Sequence, residues 1–168
     1  MSSFSNQVFF KFFKNSLPGF SLFLFIFVAM LPLGFNSFKI LPPLALLPIF
    51  YWSIYRPDLL PNYVVFFAGL LNDFTSGGPI GLWALIYLLL RIIMDSQRKI
   101  LVGKTFNVEW LAFILVVPLT FILIFVVGFI FYGVIVDIFV FISQIIITIA
   151  LYPIVVILFN KIKISIGK

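Results

Sequence analysis

The sequence predicts an all-α integral membrane protein, a six-helix transmembrane bundle, on three observations. The first is composition: 64% of the 168 residues are hydrophobic and 10% are charged, where an ordinary soluble domain carries about 25% charge. The second is that the apolar residues lie in long runs without polar alternation, which fits helices and not the strands of a barrel. The third is charge: with six crossings and the amino end inside, ten of the eleven Lys and Arg residues fall on the inner side and only Lys39 outside, the asymmetry that orients membrane proteins. Six crossings of roughly 20 residues use about 120 positions and leave about 50 for termini and loops. Residues 1–168 are therefore expected to form a single polytopic membrane domain with both termini cytoplasmic. The absence of Cys and His excludes disulfides, thiolate chemistry, imidazole catalysis and the usual zinc and haem ligands.

The first span is expected at 17–35, behind Lys11 and Lys14. Signal peptides share that layout, but Met30, Leu31, Pro32 and Leu33 offer no small-x-small cleavage site, so the segment is expected to stay attached. The second, 40–55, carries Pro42, Pro43 and Pro48, which predict an irregular entrance and a kink. Arg56, Pro57 and Asp58 make a polar turn before a third segment, 59–73. That segment is short for the hydrocarbon and must thin the bilayer, be shielded by neighbours or be re-entrant. Ser76, Gly77, Gly78 and Pro79 then break the chain. A fourth segment, 80–94, is also short, and its Arg91 is expected to snorkel to the headgroups. From Trp110 to Phe159 the only ionisable side chain is Asp137, which predicts two long helices, 110–132 and 138–160, joined by a tight turn at Gly133 to Asp137. Trp110 and Tyr132 suit the interfacial belt, and Lys161, Lys163 and Lys168 close the chain on a basic tail.

Among the polar residues Asp73 is the most informative, because a carboxylate near the membrane needs a partner, hydration or a helix end to cap. Arg91 lies about 16 Å along the fourth segment, too far for a direct pair. The candidates are Lys39, the free N–H groups of the Ser76 to Gly81 turn and the fourth-helix start, or a partner protein. Asp137 reads as a solvated turn residue. Gln144 and Thr148 share a helix face and are expected to take part in helix packing or to bond another helix. Gly69, Gly77, Gly78 and Gly81 permit close backbone approach or positive φ, and Gly128 and Gly133 could do the same. The pI of 9.7 does not imply nucleic acid. Its basic residues are scattered over four cytoplasmic segments, where they fix topology and touch anionic lipids. No nucleophile, phosphate cradle or metal-ligand cluster accompanies the acids, so no enzyme activity and no cofactor is expected. Two short segments that are chain neighbours do not form the corresponding halves of an inverted-repeat transporter.

The stretch from Gly69 to Gly81, GLLNDFTSGGPIG, spaces Gly, Asp, Ser-Gly and Gly in a pattern that resembles the MreD rod-shape-determining family. Pro42-Pro43, Tyr51-Trp52 and Pro57 upstream and Tyr152-Pro153 downstream are similar to that family's pattern too. The resemblance implies a non-enzymatic inner-membrane subunit of the bacterial cell-elongation machinery. Such a subunit binds MreC and acts with the MreB filament, the RodA polymerase and its partner transpeptidase in sidewall peptidoglycan synthesis. It also implies a fold like the substrate-binding subunits of energy-coupling-factor transporters, which leaves a small-molecule-binding subunit of a vitamin-type transporter as the alternative. The expected partner surface is the turn of Asp73, Ser76, Gly77, Gly78 and Gly81.

Overall fold

The computed structural model describes residues 2–30, 42–133 and 137–167. Six α-helices follow one another: α1 (Ser2–Met30), α2 (Leu46–Tyr55), α3 (Asn62–Ser76), α4 (Leu82–Leu101), α5 (Phe106–Tyr132) and α6 (Ile138–Gly167). A 3-10 turn, Pro57–Leu59, links α2 to α3. No strand occurs among the described residues, as the absence of alternation requires.

The long runs behave as expected. Phe106–Phe131 and Ile138–Lys161 are long and apolar enough to cross a membrane. Leu115, Leu119, Ile146 and Ile154 point outward from them with more than half their surface exposed. So much outward apolar surface on a helix with no polar face is suited to lipid, where it carries no hydration cost. α1 begins at Ser2, so Lys11 and Lys14 lie within the helix and do not precede it. The remainder of the expected first span, with Lys39, lies outside the described residues, as do 134–136 of the expected α5–α6 turn.

The second segment departs from expectation. α2 is only 10 residues long, and Leu46 to Ile54 are all buried. It is the core about which the others pack, and no lipid-facing side remains. An all-apolar run reads alike whether it faces lipid or is enclosed by protein, so the sequence did not show the enclosure. Its prolines are placed without penalty. Pro42 and Pro43 precede the helix and Pro48 sits in its first turn, where N–H groups lack intrahelical acceptors. Phe50 of α2 meets Phe113 of α5 edge-on at 4.9 Å and Tyr152 of α6 at 5.5 Å. Phe113 and Tyr152 stack at 4.2 Å. Trp52 packs on Phe159 of α6 at 5.3 Å and donates its indole N–H to Ser21 Oγ of α1 at 3.0 Å. Ser21 in turn donates to Pro18 O at 2.8 Å, one turn back on its own helix.

α3 and α4 pack along their length, closest where Gly69 faces Ala84. α3 runs to Ser76, three residues beyond the expected end, so the break shrinks to 77–81. α4 extends to Leu101, correcting the short fourth segment: Arg98 and Lys99 in its last turn suit the negative end of the helix dipole. The bundle thus has two ends. One gathers the α3–α4 turn, and the other gathers the close of α2, the close of α4 and the start of α5.

Candidate functional site

The α3–α4 connection is built by two glycines and one acid. Gly77 takes φ 65° just past α3, and Gly81 takes φ 96° just before α4. A residue with a Cβ enters either conformation only at a cost. Gly78 is not in that region. A helix start leaves backbone N–H groups unpaired, and Gly81 has no side chain with which to cap them. Asp73, reaching back from α3, does so instead. Its Oδ2 accepts from Gly81 N–H and its Oδ1 from Trp83 N–H, both at 2.8 Å, and Ala84 N–H lies 3.5 Å from Oδ2. Negative charge at a helix amino end is also favoured by the dipole. Asp73 is 1% exposed.

Of the three expected partners for Asp73, the turn amides are engaged, while Lys39 lies outside the described residues. Ser76, Gly77 and Gly78 are exposed and Gly81 is half-buried, whereas Asp73 is inside. The turn surface is formed by the small residues, with Phe74 and Ile80 standing out beside them, 68% and 64% exposed. Ser76 Oγ donates to Asp73 O and Thr75 Oγ1 to Asn72 O, so the last turn of α3 is tied down by its own hydroxyls.

A second polar centre occupies the other end. Arg91 is 6% exposed and does not reach out to headgroups. Its Nε donates to Leu60 O at 3.0 Å and its Nη2 to Pro57 O at 3.1 Å, while Nη1 lies 3.6 Å from Asp95. The snorkelling expectation fails because Leu60 O and Pro57 O, the latter already accepting from Leu60 N–H, lie beside α4, and a guanidinium fork reaches both at once. Seven residues on, Arg98 Nε donates to Ile54 O at 3.0 Å. α4 thus holds the α2–α3 connection by two arginines.

Nearby, Tyr55 donates its hydroxyl to Glu109, which is 2% exposed. Lys163 Nζ sits 3.5 Å above the Tyr55 ring, a cation–π contact. Tyr51 donates to Asn160 Oδ1 at 2.7 Å. α2, α5 and α6 are fastened together here. The sequence alone singled out neither Glu109 nor Tyr55. The available signal was that Glu109 is the only acid in α5, one turn from its start.

The remaining acids are also engaged. Asp137 is exposed and accepts from Phe139 N–H at 2.8 Å, the turn role expected of it. Arg56 and Asp58 lie 3.6 Å apart. Thr148 donates to Gln144 O of its own helix at 2.7 Å, not to a neighbouring helix. Each of the five acids therefore has a hydrogen-bond or ion-pair partner, and no two carboxylates share one centre for acid–base work.

These features define a class: an all-helical membrane protein with helices able to span lipid, whose polar residues clasp helices together. Comparison with known proteins gives the family. The model for rod shape-determining protein MreD matches residues 11–162, and the chain belongs to the MreD family. It is a rod-shape-determining membrane protein, and that family is a shape-determining one, not an enzyme family. No curated protein and no solved structure matches the chain.

Proposed function

We propose that this chain is the six-crossing, inner-membrane MreD subunit of a bacterial cell-elongation machinery, with both termini in the cytoplasm. It binds MreC and works beside the MreB filament, the RodA polymerase and its partner transpeptidase to support sidewall peptidoglycan synthesis. The observation that carries this reading is the family match over nearly the whole chain. The locally rigid α3–α4 turn gives it a physical form. Small residues flanked by Phe74 and Ile80 offer close backbone approach and apolar surface together, the combination that drives association within lipid. Asp73 shapes this surface from beneath by fixing where α4 begins.

The test is recovery of MreC from membranes with three variants. Phe74→Asn and Ile80→Asn alter exposed side chains without touching the core, and Gly77→Leu distorts the turn. Reduced recovery with all three, together with rounding of rod-shaped cells on depletion, is the expected result. Undiminished recovery from all three removes the turn from the interface.

A further inference from the structure

The end of the bundle opposite the Asp73 turn carries cations without matching anions. The close of α4 and its connection to α5 read RKILVGK over 98–104, and Arg98, Lys99 and Lys104 are all exposed. Gly103 takes φ 83° and Lys104 N–H donates to Leu101 O at 3.2 Å, so the turn brings Lys104 back beside the last turn of α4. Arg98 spends its Nε on Ile54 O, and among the described residues its Nη1 and Nη2 meet no acceptor. All five acids of the chain are described residues. Those at this end are engaged elsewhere: Asp58 lies against Arg56 and Asp95 against Arg91, while Glu109 is buried and accepts from Tyr55.

The neighbours of these cations are apolar and exposed as well. Ile100, Val102, Phe106 and Trp110 all stand out from the surface, and the last two stack at 6.2 Å. Cations interleaved with aliphatic and aromatic side chains at helix ends suit the boundary where headgroups meet hydrocarbon. A free phosphate or a hydrated acidic segment would meet the cations but leave the four apolar side chains in water. An anionic lipid answers both halves. Phosphate in particular matches a guanidinium edge, which gives two parallel hydrogen bonds, and the two ammonium groups add point charges beside it.

We propose that the α4–α5 connection is a binding site for an anionic phospholipid, its three cations holding the phosphate headgroup and its four exposed apolar side chains lying against the acyl chains. The inference stands apart from the partner reading, because it uses the opposite end of the bundle from Phe74 and Ile80.

The whole protein is placed in phosphatidylcholine nanodiscs, into which phosphatidylglycerol or further phosphatidylcholine with brominated chains is titrated. Bromine quenches a nearby indole, and subtracting the signal of Trp110→Phe isolates Trp110. Brominated phosphatidylglycerol is expected to half-quench Trp110 at a much smaller share of the lipid than brominated phosphatidylcholine. Each cation at a membrane surface is worth about fivefold in binding, so the double variant Lys99→Gln, Lys104→Gln should raise that share by about 25-fold, toward the phosphatidylcholine value. Both side chains are exposed, and an unchanged melting temperature establishes that the variant is folded. Equal half-quenching by the two lipids in the wild type, or a preference that the folded double variant keeps, would overturn the proposal. So would displacement of the phosphatidylglycerol by inorganic phosphate or polyglutamate but not by chloride at matched ionic strength, which would give the cations to a soluble anion.

Discussion

Gly69 of α3 and Ala84 of α4 meet backbone to backbone: a Cβ added at Gly69 would stand 2.4 Å from Ala84 Cα and 2.7 Å from its amide nitrogen. Carbon atoms in contact sit at about 3.5–4.0 Å, so the helices would have to separate by more than an ångström. Because the obstacle is backbone, Ala84→Gly cannot relieve it.

Gly69→Ala is therefore expected to lower stability by about 1–3 kcal/mol, the usual cost of overpacking. Pairing it with Ala84→Gly should bring no recovery. Thermal unfolding of the purified protein reads both. A melting temperature at the wild-type value for Gly69→Ala would show that α3 and α4 do not approach this closely.

Asp73 sits four residues along α3 from that contact, and its two oxygens hold Gly81 and Trp83. Asp73→Ala leaves these amides unpaired and should cost about 1–2 kcal/mol, as loss of a helix cap does. Asp73→Asn keeps the shape but can offer only one oxygen, so it turns an amide donor toward a backbone donor and should recover little. Hydrogen exchange at the Gly81 and Trp83 amides is the direct readout. It should accelerate in both variants while exchange in mid-α5 stays unchanged.

Much of this end of the molecule was legible from the chain alone. The turn amides were named as candidates for Asp73, and the Gly77 and Gly81 positions follow from φ that other residues resist. α5 and α6 were readable because 50 residues with a single charge permit little else. What escaped depends on tertiary neighbours. The enclosure of α2 by the other helices escaped because burial in protein and burial in lipid select the same side chains. The lodging of Arg91 depends on the carbonyls of Pro57 and Leu60, some 31 to 34 residues earlier in the chain, which no local pattern announces. Tyr55 and Glu109 are 54 residues apart, and nothing in either segment points to the other.

Arg91 gives the third prediction. Lysine keeps the charge but has no planar fork to span two carbonyls. Arg91→Lys should lose one of the contacts to Pro57 O and Leu60 O, and Arg91→Met should lose both, leaving Leu60 O unpaired and Pro57 O with only the Leu60 N–H. Limited proteolysis in residues 56–61 should therefore speed up in the order wild type, Lys, Met. Equal cleavage of all three would mean that the guanidinium does not secure the α2–α3 connection.

The Tyr55–Glu109 contact joins the close of α2 to the start of α5, and Lys163 covers the same ring from α6. Tyr55→Phe removes the donor and leaves the ring for Lys163, whereas Glu109→Gln removes the charge and retains an acceptor. A double-mutant cycle over the two should give a coupling energy of about 0.6–2 kcal/mol, the span measured for hydrogen bonds between membrane helices. Lys163→Met should add a smaller loss of about 0.5–1 kcal/mol, as expected of a partly exposed cation–π pair. This loss should persist in Tyr55→Phe, where the ring remains, and should vanish in Tyr55→Leu. If Lys163→Met costs the same in both backgrounds, the ammonium gains nothing from the ring, and α6 is held at this end by Tyr51 and Asn160 instead.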